Sequence, residues 1–193
     1  MSPQFHLASK SPRRQELLRQ LGLCFDVRAA GIVEQPQPGE TAGQYARRMA
    51  LEKAQAAQRE YSGALPFLGA DTDVVIDGRI LGKPANREDA LAMLAALSGR
   101  THEVYSAVAV VQGARSECAL SVTQVSFAAI GDDQAARYWA SGEPADKAGA
   151  YGIQGLGAQF VKEIRGSYSG VVGLPLYETS QMLDKLRERR NPY

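Results

Sequence analysis

The chain has 193 residues, of which 45% are hydrophobic and 22% charged, and its formal net charge is +1 at pH 7. These values are typical of a globular protein, and we treat residues 1–193 as a single domain. The near-zero net charge excludes the global electrostatic field that grips duplex DNA or an acidic membrane surface. Any site for an anion must therefore be built locally.

The cysteines and the N-terminus indicate the compartment. Cys24 and Cys118 lie far apart and lack the spacing of a metal knuckle, so we interpret them as buried thiols. The first residues, MSPQFHLAS, contain no apolar stretch like that of a signal peptide, and no run approaches the ~18 residues of a membrane span. We therefore expect a cytoplasmic protein with no membrane or nucleic-acid partner.

The first half of the chain reads as alternating strands and helices. Ser11 and Pro12 open a helix that ends at Gly22, and Thr41 with Gln44 forms a capping box at the start of an alanine-rich helix. The Asp77-Gly78 pair is a strong hairpin signal. The predicted elements are strands at 5–9, 24–33, 66–76 and 79–84 and helices at 12–21 and 41–61.

The second half begins with a helix capped by Asn86, and two long period-two strands follow it. A helix, a glycine-rich loop, a strand with a turn and a further extended segment, and a last helix complete the chain. The predicted ranges are 86–99, 101–113, 116–130, 132–142, 146–157, 159–173 and 175–193. Together the pattern predicts an α/β fold: a mixed twisted sheet with flanking helices.

Residues 8–18, ASKSPRRQELL, begin a helix with two arginines. A helix N-terminus already carries about half a positive charge, so adjacent cations are unfavourable there unless an anion binds. The Ser9 and Ser11 hydroxyls, the free N–H groups and the guanidiniums of Arg13 and Arg14 are together typical of a polyphosphate site. Taken alone, the segment favours ordinary solvated arginines, because short basic helix starts are common.

The stretch GADTDVV places carboxylates inside a β-branched strand. Asp71 and Asp73 project from the same face of an extended strand, so both could address one cation or one water. Carboxylate oxygens are ligands that Mg²⁺ takes alongside substrate phosphates. The alternative is an edge strand with two solvated aspartates, and we favour a functional role for Asp71 but solvation for Asp73.

Lys53, midway along the alanine-rich helix, and Lys83, at the end of the hairpin, are candidates only if they converge with the arginines. The loop DKAGAYGIQGLG contains four glycines, which would let backbone N–H groups approach a ligand closely. Gln154 within it offers the donor and acceptor needed to read the edge of a base. On composition alone this loop is also compatible with a flexible surface loop.

Six blocks of the chain, taken together, resemble the Maf family of nucleoside triphosphate pyrophosphatases. They occur in the order found in that family and span residues 7–179, and the IQG form of the glycine loop resembles the branch that hydrolyses dTTP and UTP. The blocks are LASKSPRRQELL, ALEKA with Lys53, GADTDVV, ILGKP, DKAGAYGIQGLG and GSYSGVVGLPLYET.

The resemblance implies two lobes around a deep substrate cleft, a homodimer, and hydrolysis between the α and β phosphates with a divalent cation, Mg²⁺ or Mn²⁺. It implies Asp71 as the general base and, with Glu34, as a metal ligand. The implied specificity positions are Arg13, Thr72 and Gln154, and the implied phosphate-binding positions are Ser9, Arg13, Arg14, Lys53 and Lys83. Where the family is expected to carry an aliphatic residue after GADT, this chain carries Asp73.

Two alternatives stay open at this point. The same scaffold could act on other or modified nucleotides such as 7-methyl-GTP, and a non-catalytic nucleotide-binding regulator of cell division would need the same basic residues. Pyrophosphate release that depends on a metal separates an enzyme from a regulator, and a panel of nucleotides separates the specificities.

Overall fold

The fold, seen in a computed structural model that describes residues 2–61 and 63–190, is a single seven-stranded mixed sheet flanked by helices. The strands are β1 (Phe5–Leu7), β2 (Phe25–Val27), β3 (Phe67–Ile76), β4 (Arg79–Leu81), β5 (Thr101–Gln112), β6 (Arg115–Phe127) and β7 (Val161–Arg165). The helices are α1 (Pro12–Gln20), α2 (Ala42–Tyr61), α3 (Arg87–Leu97), α4 (Asp132–Ala140), α5 (Tyr168–Val172) and α6 (Leu176–Arg190). The predicted α/β class is confirmed.

The strand order is β2-β1-β3-β5-β6-β7, with β4 pairing to β3. β1 runs parallel to both of its neighbours, and the remaining pairs are antiparallel. β5 borders β3 from residue 67 to residue 75. Along the opposite edge of β3, β1 pairs only with residues 67–68 and β4 only with residues 74–76.

Residues 69–73 of β3 therefore have no strand beside them on one edge, and we call this opening the β3 gap. It forms because β1 ends at Leu7 and the chain turns away into α1, while β4 is only three residues long. The segment after β1 carries Ser9, and the segment after β4 carries Lys83. The topology thus places two of the predicted phosphate-binding segments at the two ends of the gap.

Helix α2 lies against β3 and β5 at very short range because small residues line the contact. Ala46, Ala50 and Ala54 of the helix are fully buried. A Cβ added to Gly69 would lie 2.2 Å from the carbonyl oxygen of Ala50, so only glycine fits at that crossing. This approach holds the next turn of α2, which carries Lys53, over the face of β3 that carries Asp71.

Several local predictions are confirmed. The Thr41 N–H donates to Gln44 Oε1 over 2.9 Å while the Gln44 N–H donates to Thr41 Oγ1 over 3.3 Å, which is a capping box. Asn86 caps α3 by accepting from the Asp89 N–H at 2.9 Å. Asp77 and Gly78 have φ values of 52° and 73°, as a two-residue hairpin turn requires.

Three predictions about elements are wrong. The second strand covers Phe25–Val27 rather than residues 24–33, because it pairs only with the three residues of β1. Residues 168–172 are a short helix rather than an extended segment, since the Ser167 hydroxyl caps it by accepting from the Gly170 N–H at 3.0 Å. The glycine loop contains 3₁₀ turns at 143–146, 148–150 and 156–160 and is not irregular.

Two further expectations concern the termini and the membrane. The final helix is described to Arg190, and the predicted stretch 191–193 lies outside the described residues. Within the described ranges, no helix combines the length and the apolar character that crossing a bilayer requires. Cys24 and Cys118 are free thiols of intermediate burial, less buried than we expected.

Candidate active site

Asp71 lies in the middle of the β3 gap and is only 5% exposed. Its Oδ1 is 2.6 Å from Lys53 Nζ, and the same ammonium is 2.7 Å from Glu34 Oε2. Lys53 therefore stands between two carboxylates, one buried in the strand and one half-exposed on the loop before α2. Because β3 is an inner strand, the alternative interpretation of an edge strand with two solvated aspartates is wrong.

Asp73 is also buried, with 7% of its surface exposed, so the expectation that it is solvated is wrong. Its Oδ2 has no hydrogen-bond partner among the described residues. Burial, and then the repulsion from Asp71, raise the pKa of Asp73 to about 9.

Arg14 is held at the first turn of α1 by contacts to two other segments. Its Nε donates to the Gly173 carbonyl over 2.8 Å, and its Nη1 donates to Ser9 Oγ over 3.2 Å. Thr72 Oγ1 donates to the same Gly173 carbonyl over 3.2 Å. Burial lowers the pKa of Arg14, while the nearby carboxylates, Asp71 foremost, act in the opposite direction.

These contacts bring six predicted site residues together around the β3 gap. Some contribute positive charge or hydroxyl donors and others contribute carboxylates, as a site for a charged ligand with a bound cation requires. They come from the loop after β1, α1, the loop before α2, α2 and β3. The six are Ser9, Arg14, Glu34, Lys53, Asp71 and Thr72.

The three other predicted residues lie further out. Arg13 Nη1 is 3.7 Å from Asp146 Oδ2, so it joins α1 to the start of the glycine loop. Lys83 is exposed, and the preceding Gly82 carbonyl accepts from the Gly149 N–H at 3.0 Å, which sets Lys83 beside the same loop. Gln154 is exposed and makes no hydrogen bond within the described part of the chain.

The glycine loop is organised around Glu143, which our sequence reasoning missed. Its carboxylate accepts from Tyr138 OH at 2.8 Å, from the Leu156 N–H at 2.7 Å and from the Gly157 N–H at 3.0 Å. A Cβ added to Gly155 would lie 2.1 Å from Glu143 Oε2. The expectation that these N–H groups face a ligand is therefore wrong for Leu156 and Gly157.

A second missed residue, Arg48, fixes the loop that carries Glu34. Arg48 Nε is 2.6 Å from Glu40 Oε1, and Arg48 Nη2 donates to the Gln35 carbonyl over 2.9 Å. The loop between residues 34 and 40 is thereby tied to α2, next to Lys53. No local signal in the sequence links Arg48 to Glu40 or Gln35, since they lie eight or more positions apart.

The donor set of the β3 gap fits a hard divalent cation. The oxygens of Asp71 and Glu34 are the ligand type that Mg²⁺ and Mn²⁺ take, and Asp73 Oδ2 is a buried carboxylate oxygen without a partner among the described residues. Within the described ranges, no group of three or more His, Cys, Asp or Glu side chains forms a preassembled metal site. Such a cation would thus take carboxylate oxygens from the chain and the rest of its shell from phosphates and water.

Comparison with known proteins identifies the family. A protein from Saccharophagus degradans, named dTTP/UTP pyrophosphatase, is 52% identical over 186 residues, covering 95% of this chain and 89% of the relative. A Shigella flexneri protein named nucleoside triphosphate pyrophosphatase is 52% identical over 191 residues, covering 97% of each chain. The solved Staphylococcus aureus Ham1 protein aligns with 96% of this chain and 98% of its own, with a TM-score of 0.48 and 15% identity. The model of Maf-like proteins matches residues 4–186, and this chain belongs to the Maf family.

Proposed function

We propose that this protein hydrolyses nucleoside triphosphates between the α and β phosphates, with dTTP and UTP as its substrates, and releases the monophosphate and pyrophosphate. The names of relatives at 52% identity support the pyrophosphatase activity and the choice of dTTP and UTP. The observation that carries the proposal for the site is the ion pair of Lys53 with the buried carboxylate of Asp71, with the Arg14 guanidinium near enough for its charge to interact with the same carboxylate.

The cationic groups would neutralise the triphosphate. A nucleoside triphosphate brings about four negative charges, which a site shielded from water holds only when they are paired. Arg14 and Lys53 line the β3 gap, and Arg13 and Lys83 lie where the gap meets the glycine loop. Each of these side chains has a long flexible stem, so it can turn to a phosphate oxygen.

Asp71 would direct the attacking water. Its carboxylate is held by Lys53 on one oxygen, which leaves the second oxygen to orient a water and accept its proton as that water attacks the α-phosphorus. Glu34 holds the other side of the Lys53 ammonium and so keeps it over the gap. Among the described residues we find no side chain placed as a covalent nucleophile, and most of the acceleration should come from positioning and electrostatics.

Asp71 and Glu34 would also hold a divalent cation, Mg²⁺ or Mn²⁺. When bound, that cation stabilises the charge that develops on the leaving pyrophosphate. The chain's own part is to supply hard oxygen donors at the bottom of the gap.

Arg13, Thr72 and Gln154 would set the choice of nucleotide. Thr72 is tied through Gly173 to Arg14, which couples the strand position next to Asp71 with the phosphate-binding helix. Gln154 presents its amide at the surface of the glycine loop, where it can donate to and accept from the edge of a base.

Pyrophosphate release tests the proposal. The purified protein is incubated with Mg²⁺ or Mn²⁺ and with dTTP, UTP, CTP or 7-methyl-GTP in parallel, and pyrophosphate and monophosphate are quantified. We expect release from dTTP and UTP that stops when the metal is chelated. Release chiefly from 7-methyl-GTP would overturn the specificity, and binding of nucleotide without release under any metal would favour a regulator. The homodimer stays a prediction, which light scattering on the same sample tests.

A further inference from the structure

Asp73 lies on the same face of β3 as Asp71, two residues further along the strand. Both fall within the β3 gap, where the edge of the strand is free. Successive residues of a strand rise about 3.3 Å, so the two Cβ atoms lie roughly 7 Å apart and both carboxyl groups can reach a point between them.

Within the described part of the chain, no positive group of the gap makes a hydrogen bond or ion pair with Asp73. Lys53 Nζ makes its contacts with Asp71 Oδ1 and Glu34 Oε2, and Arg14 makes its own with Gly173 and Ser9. Asp73 Oδ2 is buried and has no hydrogen-bond partner among the residues that the structure describes. A buried carboxylate oxygen without a donor is costly in free energy, which indicates that a further ligand belongs beside it.

A divalent cation meets that requirement better than a water or an organic group. It is attracted by both carboxyl groups at once and compensates the repulsion between them, whereas a neutral ligand compensates none of it.

We propose that Asp73 is a ligand of the divalent cation, on the buried side of Asp71, an inference that rests on the proposed function. Asp71 and Asp73 of β3 then form a carboxylate pair that binds the cation. Glu34, whose side chain is 52% exposed, approaches from the open side together with Lys53. The chain therefore binds its cation with one more carboxylate than the Asp71–Glu34 set provides.

Binding of Mn²⁺ to the intact protein tests this inference without any measurement of turnover. The free Mn²⁺ concentration is followed by electron paramagnetic resonance during a titration, once with protein alone and once with an α,β-methylene analogue of UTP that cannot be cleaved between those phosphates. The variants are Asp73→Asn, which keeps the size and one carbonyl oxygen, and Asp73→Leu, which removes both oxygens. We expect the Kd for Mn²⁺ to rise by about tenfold or more in Asp73→Asn, and further in Asp73→Leu.

Asp77→Asn is the matched control, because Asp77 is an aspartate of the same hairpin whose side chain is 70% exposed and pairs with Arg100 outside the gap. Its Mn²⁺ affinity should equal that of the unmodified protein. The inference is overturned if Asp73→Asn binds Mn²⁺ as tightly as Asp77→Asn does, or if the unmodified protein binds no Mn²⁺ in either titration. Should Asp73→Leu fail to fold, Asp73→Asn decides alone.

The outcome separates this inference from the proposed function. If Asp73→Asn keeps full Mn²⁺ affinity while the unmodified protein releases pyrophosphate, only the role of Asp73 is wrong. If Mn²⁺ binding depends on Asp73 but no nucleoside triphosphate is hydrolysed, the cation site stands and the proposed function fails.

Discussion

Two carboxylates of this protein, Asp71 in the β3 gap and Glu143 beneath the glycine loop, are surrounded by partners of opposite kinds. Asp71 is paired with the ammonium of Lys53, at the tip of a long flexible side chain. Glu143 is bonded to two backbone N–H groups and a buried phenol, which are fixed in place by the fold. Flexible partners can turn to an incoming phosphate, whereas fixed partners cannot. The first region is therefore suited to exchange partners with a ligand, and the second to hold a shape.

The pKa values of the carboxyl groups in the two regions differ as well. Burial by itself raises the pKa of Glu143, but hydrogen bonds from Gly157, Tyr138 and Leu156 outweigh it and leave that pKa below its usual value. In the β3 gap, burial and repulsion between carboxyls leave the pKa of Asp73 raised. The carboxylate of Glu143 is thus stabilised by groups of the protein alone, whereas the carboxyl groups of the β3 gap require a further ligand.

The largest effect should come from Asp71→Asn, which removes the proton acceptor of the gap while preserving its size. We expect turnover with UTP to fall by roughly 10²–10⁴-fold, the usual contribution of a general base, while nucleotide binding and the unfolding midpoint change little. Steady-state pyrophosphate release and calorimetric nucleotide titration measure the two quantities. Asp77→Asn, in the exposed turn of the same hairpin, should keep full turnover. Near-normal turnover in Asp71→Asn would exclude this carboxylate from the chemistry.

The buried imidazole of His102, which contacts Tyr151 of the glycine loop, predicts that the stability of the protein depends on pH. His102 is 2% exposed, its Nε2 lies 2.9 Å from Tyr151 OH, and burial lowers its pKa to about 4. In the unfolded chain the pKa of histidine is about 6.5, so the unfolded state binds a proton first as the pH falls. Stability should therefore decrease as the pH falls from about 6.5 to about 4, by up to on the order of 3 kcal/mol from this residue.

Urea unfolding of the unmodified protein and of His102→Gln across that pH range isolates this contribution, because the carboxylates titrate alike in both. The introduced amide keeps a hydrogen-bonding group near Tyr151 but does not titrate. The difference in free energy of unfolding between the two proteins should vary with pH in the direction just given. Parallel pH profiles would contradict a neutral buried imidazole.

A smaller loss of stability should follow from Gly157→Ala in the glycine loop. The added Cβ would lie 2.6 Å from Tyr138 OH and 2.7 Å from the Gly152 carbonyl oxygen, so the loop must shift away from Glu143. Forcing a methyl group into such a contact costs about 1–3 kcal/mol. Gly31→Ala is the control, since its Cβ would meet nothing within 4 Å. If denaturant unfolding gives equal stabilities for the two variants, the glycine is not required for packing.

Much of the fold could be predicted from the sequence because its signals are local. The Thr41 capping box, the Asn86 cap and the Asp77-Gly78 turn each depend on side chains a few positions apart, and all three are confirmed. The length of β2 and the short helix at 168–172 could not be predicted so well. The first is set by how far β1 extends beside it, and the second depends on a cap in a segment whose valines also favour a strand.

The site was predictable where charge at an unfavourable position revealed it. Arginines at a helix start and an aspartate inside a strand break local rules, and the structure brings Arg14 and Asp71 to one gap. Glu143 and Arg48 break no local rule, since a charged residue beside a turn or on a helix face is ordinary. Their roles come from partners at distant positions, which only the fold brings together.

The smallest effect, and the sharpest test of the contrast between the two regions, should come from Gln154→Ala. Glu143 fixes the backbone on the C-terminal side of Gln154, so removing the side chain should leave the loop in place and change only what it presents. We expect the ratio of kcat/KM for UTP to that for CTP to fall by about fivefold, or roughly 1 kcal/mol, with kcat for UTP nearly constant. Gln159→Ala is the matched control, because Gln159 is an exposed glutamine two residues beyond that loop whose amide already donates to the Leu156 carbonyl at 2.8 Å. An unchanged base preference in Gln154→Ala, or an equal change in Gln159→Ala, would mean that the loop supplies shape alone and that the base is read elsewhere. A large loss of kcat would mean instead that the two regions act together on the phosphates.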